Sequence, residues 1–229
     1  MEENFLIMGM ARTGSTYLWS LLAKHPSITC FNDDLHEEFK NQNLSIRNFL
    51  DQKFIIVSKI LGSKMLPNFY SEFTQEDFIW LRDIKNFKKI IYINRENALD
   101  QYVSIQLAQI NNSFTSYELK NQIVGTYKTQ SIEINKQKLL HWHEFYKNTN
   151  NSMLQTIKTI FKNYISIEYN EIKNQRKIKT IYSYLNIPYV YAESGQLKQK
   201  TKSNPEIIKN YRELKEELLG TELEVYFND

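Results

Sequence analysis

The sequence predicts an α/β fold, a P-loop-like parallel β-sheet flanked by helices on both faces. Short apolar, β-branched runs alternate with segments of helical spacing along the chain, the pattern of a parallel sheet wrapped by crossover helices. No Asn-Gly type of hairpin signal joins neighbouring runs. The first apolar run ends in a glycine-bounded loop directly before a helical segment, the local arrangement of phosphate-binding loops. The length of 229 residues suits one such domain with its own core. No repeat, linker or composition break divides it, so a single domain over 1–229 is expected.

Taken in order, Phe5–Met10 reads as a buried strand and Ser15–Lys24 as a helix with Leu18, Leu21 and Leu22 on one face. His25-Pro26 stops that helix. Ile28–Phe31 is a second short strand, and 33–51 reads as interrupted helix. The continuous run Phe54-Ile55-Ile56-Val57 is the expected third strand, followed by a loop over 62–73. Thr74, with Asp77 three residues on, opens a helix through a capping-box pattern. Lys89–Ile93 is the best strand of the chain and leads into a helix through about Gln109. Residues 132–163 read as helix, split at the Asn-rich stretch 148–151. Tyr164–Ile167 is a fifth strand, 171–185 a basic amphipathic helix, and Pro205–Leu219 a last helix with Gly220 as its stop.

Composition narrows the function. Hydrophobic residues at 41% and charged residues at 24% exclude wholesale disorder. The net charge of +3 is too weak for duplex nucleic acid and suits a small polyanion. The single cysteine, Cys30, cannot form an intrachain disulfide. With no basic leader and no run approaching the ~20 apolar residues of a membrane span, the chain is expected to be soluble and cytoplasmic.

The loop Gly9-Met10-Ala11-Arg12-Thr13-Gly14-Ser15-Thr16 has the spacing G-x-x-x-x-G-S-T. A nucleotide-kinase loop carries lysine where Ser15 stands. Backbone N–H groups can still converge on a phosphate there, helped by the helix N-terminal partial charge. Arg12 is the cation inside the loop, and the Ser15 and Thr16 hydroxyls add donors. A turn glycine before an ordinary helix is the plain alternative. Arg95 follows the strand 90–93, and Ser104 lies two turns into the next helix. In open parallel sheets ligands collect outside the carboxyl ends of the strands, so two anion-binding groups there suit a ligand with two separated phosphate-like groups. Taken singly, Arg95 also reads as a salt bridge with Glu96 or Asp100, and Ser104 as a helix-face hydroxyl.

Together these residues resemble the sulfotransferases that use 3′-phosphoadenosine-5′-phosphosulfate. That family holds the 5′-phosphosulfate with an R-[ST]-G-[ST]-T core, which here reads Arg12-Thr13-Gly14-Ser15-Thr16. Its second motif, an Arg after a hydrophobic strand and a Ser in the following helix, binds the 3′-phosphate; here it reads Ile90–Arg95 and Tyr102-Val103-Ser104. The spacing is closer to bacterial carbohydrate and glycolipid sulfotransferases, including those that modify nodulation factors, than to the cytosolic animal enzymes. Weaker likenesses are Val57-Ser58-Lys59 to a strand-end lysine and Tyr169-Asn170-Glu171-Ile172 to a Tyr-Glu-Asp-Leu segment. Tyr184–Pro188 resembles a Phe-Leu-Gly-Val-Pro segment, and Leu197–Lys200 with Ile208–Tyr211 resembles a basic C-terminal loop and helix.

The resemblance implies a sulfotransferase fold and transfer of a sulfuryl group to a carbohydrate or glycolipid hydroxyl, with adenosine 3′,5′-bisphosphate as product. It implies no metal, and no metal motif occurs. Lys59 would bridge donor sulfate and leaving phosphate, and Lys198 and Lys200 would close over the 3′-phosphate; each also reads as a solvated lysine. Relatives often place a glutamate base after the second strand, where this chain has Asp33, with Asp34 and His36 nearby. Asp33 also suits a helix N-cap. Two other functions compete, a P-loop kinase using ATP and Mg²⁺ on a small metabolite, and a non-catalytic nucleotide-binding domain.

Overall fold

The computed structural model describes residues 3–31, 35–42, 44–54, 59–111, 130–193 and 202–227. They form two compact units, Met1–Asn94 with Thr149–Ser194, and Arg95–Asn148 with Gly195–Asp229.

The first unit is built on five strands, β1 (Asn4–Gly9), β2 (Ile28–Cys30), β3 (Ile60–Met65), β4 (Phe87–Asn94) and β5 (Tyr164–Glu168). They form one sheet in the order β2-β3-β1-β4-β5, and every pairing is parallel. The loop-bearing β1 is therefore the middle strand, with later strands added on both sides. Alternation along the strands separates two cores. Leu6, Met8, Ile90 and Tyr92 face Phe49, Leu50, Phe78, Leu81 and Ile157 on one side. Phe5, Ile7, Ile91 and Ile93 face Leu18, Leu22, Ile178, Ile181 and Leu185 on the other.

Local chemistry explains the helices that cover these faces. The first, α1 (Ser15–Leu22), places Leu18, Leu21 and Leu22 inward and ends before His25-Pro26. Two short helices follow, α2 (Leu35–Lys40) and α3 (Ile46–Lys53), the latter capped by the Ser45 hydroxyl accepting from Asn48 N–H. After the single turn α4 (Pro67–Tyr70), α5 (Gln75–Asp83) starts at the Thr74–Asp77 capping box that the sequence announces. Later in the chain, the basic amphipathic helix α8 (Gln175–Leu185) buries Ile178, Ile181, Tyr182 and Leu185. It stops at Asn186, which takes the left-handed conformation with φ 61°.

In the second unit α6 (Ala98–Ile110) is capped by Asn97, whose side chain accepts from the Asp100 N–H at 2.8 Å. α7 spans Lys136–Thr156, and its first thirteen residues belong to this unit by the boundary at Asn148. Two short helices, α9 (Asn204–Ile207) and α10 (Tyr211–Glu217), complete the unit. A parallel bridge joins Ile132 to Ile208, and the Asn210 amide clamps Ile134 through both its N–H and C=O.

Three expectations are corrected. The third strand lies at Ile60–Met65, where a loop was expected, while Phe54 closes α3 and 55–58 lie outside the described residues. Gly, Ser and Lys break the apolar run of β3, yet all six of its residues are buried. Gly62 is needed there because a Cβ would sit 2.3 Å from the Phe5 ring. The Asn-rich stretch 148–151 does not split α7, because the Asn150 side chain is held by Tyr92 and Asn94 and does not compete for its own helix backbone. The last helix is two, because Ile208 leaves helical geometry at φ −86°, ψ 112° to make its bridge.

Candidate anion-binding site

The site in the first unit starts where β1 meets β4. A Cβ on Gly9 would stand 2.4 Å from the Ile93 carbonyl oxygen, so only glycine lets the two strand ends approach this closely. The loop then curls through positive φ at Arg12 (66°) and at Gly14 (84°). Alternation of left-handed and ordinary residues turns successive N–H groups toward one side, the geometry of an anion nest. Thr13 between them is buried, and its hydroxyl donates to the Met10 carbonyl at 2.8 Å. Its side chain therefore braces the loop from within.

Gly14 is the N-cap of α1 and offers no side-chain acceptor to the first turn, which also holds no acidic residue. The positive end of the α1 dipole therefore faces the loop without an acidic residue in its first turn. Ser15, at the first helical position, is buried.

The loop lacks a lysine, and the neighbouring strand supplies one. Parallel pairing puts Lys64 of β3 opposite Ile7 of β1, two residues before Gly9. Lys64 is only 6% exposed and its Nζ donates to the Thr16 Oγ1 at 2.8 Å. Lys59 is exposed and immediately precedes β3, which puts it at the strand's amino end, away from the loop. Lys64 thus holds the strand-end place expected of Lys59. A signal for it exists in the sequence, a lone lysine two residues after a glycine in an otherwise apolar or small run, Ile60–Leu66, closed by Pro67.

Across the loop from Lys64 stands the turn after β5. A Cβ on Gly14 would lie 2.9 Å from the Ile172 Cδ1 and 3.2 Å from the Tyr169 ring. The Tyr-Asn-Glu-Ile segment singled out in the sequence therefore packs directly on the Arg12–Thr16 loop. Tyr17, one residue beyond Thr16, carries the Lys173 ammonium 6.0 Å from its ring centre, and burial pushes its hydroxyl pKa up.

Arg95 and Ser104 belong to the second unit. Arg95 is 4% exposed; its Nη2 lies 3.4 Å from Asp100 Oδ2, and its carbonyl accepts from the Tyr146 hydroxyl at 3.0 Å. Ser104 is buried on α6. The Asp100 partner matches one sequence alternative for Arg95.

Asp33, Asp34, Lys198 and Lys200 lie outside the described residues, and His36 is described only as part of α2. Among the described residues no group of His, Cys, Asp and Glu could hold a metal ion. No helix there is long and apolar enough to cross a membrane.

No family model matches the chain, and no curated protein matches it. Among solved structures it is similar to a sulfotransferase from Alicyclobacillus acidocaldarius, with a TM-score of 0.55 and 13% identity over the whole of both chains. The fold is thus a sulfotransferase-like α/β fold, with a five-stranded parallel sheet between helices.

Proposed function

We propose that the protein is a sulfotransferase that moves a sulfuryl group from 3′-phosphoadenosine-5′-phosphosulfate to a hydroxyl of a carbohydrate or glycolipid. One observation carries this reading. The Arg12–Thr16 loop has left-handed residues at Arg12 and Gly14, a glycine N-cap with no acidic residue in the helix's first turn, and the buried Lys64 ammonium bonded to Thr16, on a sulfotransferase-like fold. A loop with these donors fits a phosphosulfate, since N–H groups and an ammonium are what an anion of that size needs.

The donor, when bound, supplies an activated sulfuryl group on a phosphate leaving group. The loop N–H groups, Arg12 and Lys64 would hold that phosphate and stabilise the charge that grows on it as the S–O bond breaks, by donors fixed before the reaction. Ser15 and Thr16 would add hydroxyl contacts. Arg95 and Ser104 are assigned the 3′-phosphate, with Lys198 and Lys200 closing over it. Asp33 is assigned the acceptor proton, in place of the glutamate of similar enzymes.

The test is thermal unfolding with adenosine 3′,5′-bisphosphate, ATP–Mg²⁺ and AMP in parallel, followed by a transfer assay with labelled donor. A ligand at about 100 times its Kd adds about 2.7 kcal/mol, a rise of a few degrees in Tm. Stabilisation by the bisphosphate alone supports the reading. Stabilisation by ATP–Mg²⁺ alone would replace it with the kinase, and the 3′-phosphate assignment of Arg95 and Ser104 would fall.

A further inference from the structure

At the carboxyl ends of β4 and β5 the first unit holds a line of polar side chains that the proposed chemistry does not use. The Tyr92 hydroxyl donates to Asn150 Oδ1 at 2.5 Å, Asn150 Nδ2 donates to Asn94 Oδ1 at 3.4 Å, and Asn94 Nδ2 donates to Glu168 Oε1 at 2.5 Å. Every donor points the same way, and the line ends on a carboxylate, which accepts only. That end fixes the orientation of both amides.

Glu168 also opens the turn that follows β5. It forms a capping box with Glu171 over the short 3₁₀ helix Tyr169–Glu171, and its N–H donates to Glu171 Oε2 at 3.4 Å. Glu171 in turn takes the Lys177 ammonium of α8 at 2.8 Å. This turn carries Tyr169 and Ile172, the side chains that close on Gly14. One carboxyl group therefore ties the end of β4, the end of β5 and the cover of the anion loop.

We propose that Glu168 is a positioning residue for the anion-binding loop, holding the Tyr169–Ile172 turn against Gly14 so that the loop keeps its left-handed curl before a ligand arrives. The inference rests on the reading of Arg12–Thr16 as an anion loop. It assigns Glu168 no contact with a substrate. A loop with positive φ at Arg12 relaxes unless its surroundings over-determine it, and the turn supplies that constraint from the side opposite Lys64.

Hydrogen–deuterium exchange of the free protein tests this without a ligand, at a temperature where every variant is folded. In Glu168→Ala the amides of 11–17 are expected to exchange about tenfold faster, with those of β3 unchanged. Glu168→Gln keeps one acceptor for Asn94 and is expected to fall between. Calorimetry with adenosine 3′,5′-bisphosphate is then expected to show a Kd about tenfold weaker in Glu168→Ala, about 1.4 kcal/mol. Unchanged loop exchange overturns the inference, as does faster exchange with an unchanged Kd. If the unaltered protein does not bind the bisphosphate, the proposed function fails and loop exchange alone decides the role of Glu168. Should Glu168→Ala not fold, Asn94→Ala and Glu168→Gln carry the same comparison.

Discussion

Replacing Lys64 with methionine separates the two sources of positive charge at the loop. Methionine fills nearly the same volume, so the core between β3 and α1 stays packed. The change removes one ammonium that is 6% exposed and 2.8 Å from the Thr16 hydroxyl. For the ligand-free protein two effects oppose each other. The lost hydrogen bond costs about 1 kcal/mol net, while burial of a charge is relieved. Tm is therefore expected to move little. The bound state differs, because there the lost ammonium would have faced an anion. Two unit charges 4 Å apart attract by about 4 kcal/mol at an effective permittivity of about 20. Mutational losses for charged hydrogen bonds run about 1.5–3 kcal/mol, and the lower range applies because Arg12 and the loop N–H groups remain. Affinity for adenosine 3′,5′-bisphosphate should fall about tenfold to fortyfold, measured by calorimetry at fixed salt. Lys64→Arg, which keeps the charge, should recover part of it. An affinity within twofold of the original in Lys64→Met would refute the assignment of Lys64 to the anion.

Three further outcomes follow from the same geometry. Gly14→Ala should cost about 1–2 kcal/mol for the left-handed φ alone, plus the contacts at 2.9 Å and 3.2 Å with Ile172 and Tyr169; chemical denaturation reads the stability, and ligand binding should fall further than stability does. Asp77 loses by desolvation but gains more from the Thr74 hydroxyl, the Thr74 N–H and Arg47, so its pKa is lowered. Its stabilisation is therefore complete above the ordinary carboxylate range and disappears as pH falls through the lowered value; Asp77→Ala should cost about 1–2 kcal/mol at pH 7 and flatten the acid limb of a stability–pH curve. Burial pushes the Cys30 thiol up to about 12. At pH 8 about one molecule in ten thousand carries the thiolate, against about one in four for a free thiol, so iodoacetamide should label the folded chain about a thousandfold more slowly than the unfolded one.

The architecture was legible where local and tertiary preferences agree. Phe5–Met8 and Ile90–Ile93 are continuous apolar runs buried on both faces, and they are strands. Thr74 and Asp77 advertise a helix start that the fold uses unchanged. The loop was legible because glycines are scarce and two of them bracket it. Legibility failed at β3, whose Lys64 and Gly62 look like loop residues until Phe5 and Thr16 are placed beside them. Strand identity there comes from its neighbours, and the neighbours are distant in sequence. The same reason hid Glu168, since nothing in Tyr164–Glu168 signals that Asn94 stands opposite its last residue, as the parallel register places it.

The loop is thus completed by parts made much later in the chain. Thr16 and Lys64 are separated by 48 residues, and the turn on Gly14 follows the last strand of the sheet. Parallel pairings of this kind form late, because loop-closure entropy must be overcome before contacts reward it. A folding transition state in which β5 has not docked would have a loop without its cover and little grip on an anion. A bound nucleotide would then slow unfolding while leaving the refolding rate nearly unchanged. If the loop binds the proposed nucleotide, the consequence in a cell is kinetic: nucleotide supply would set how long a finished molecule lasts and leave untouched how often one is finished.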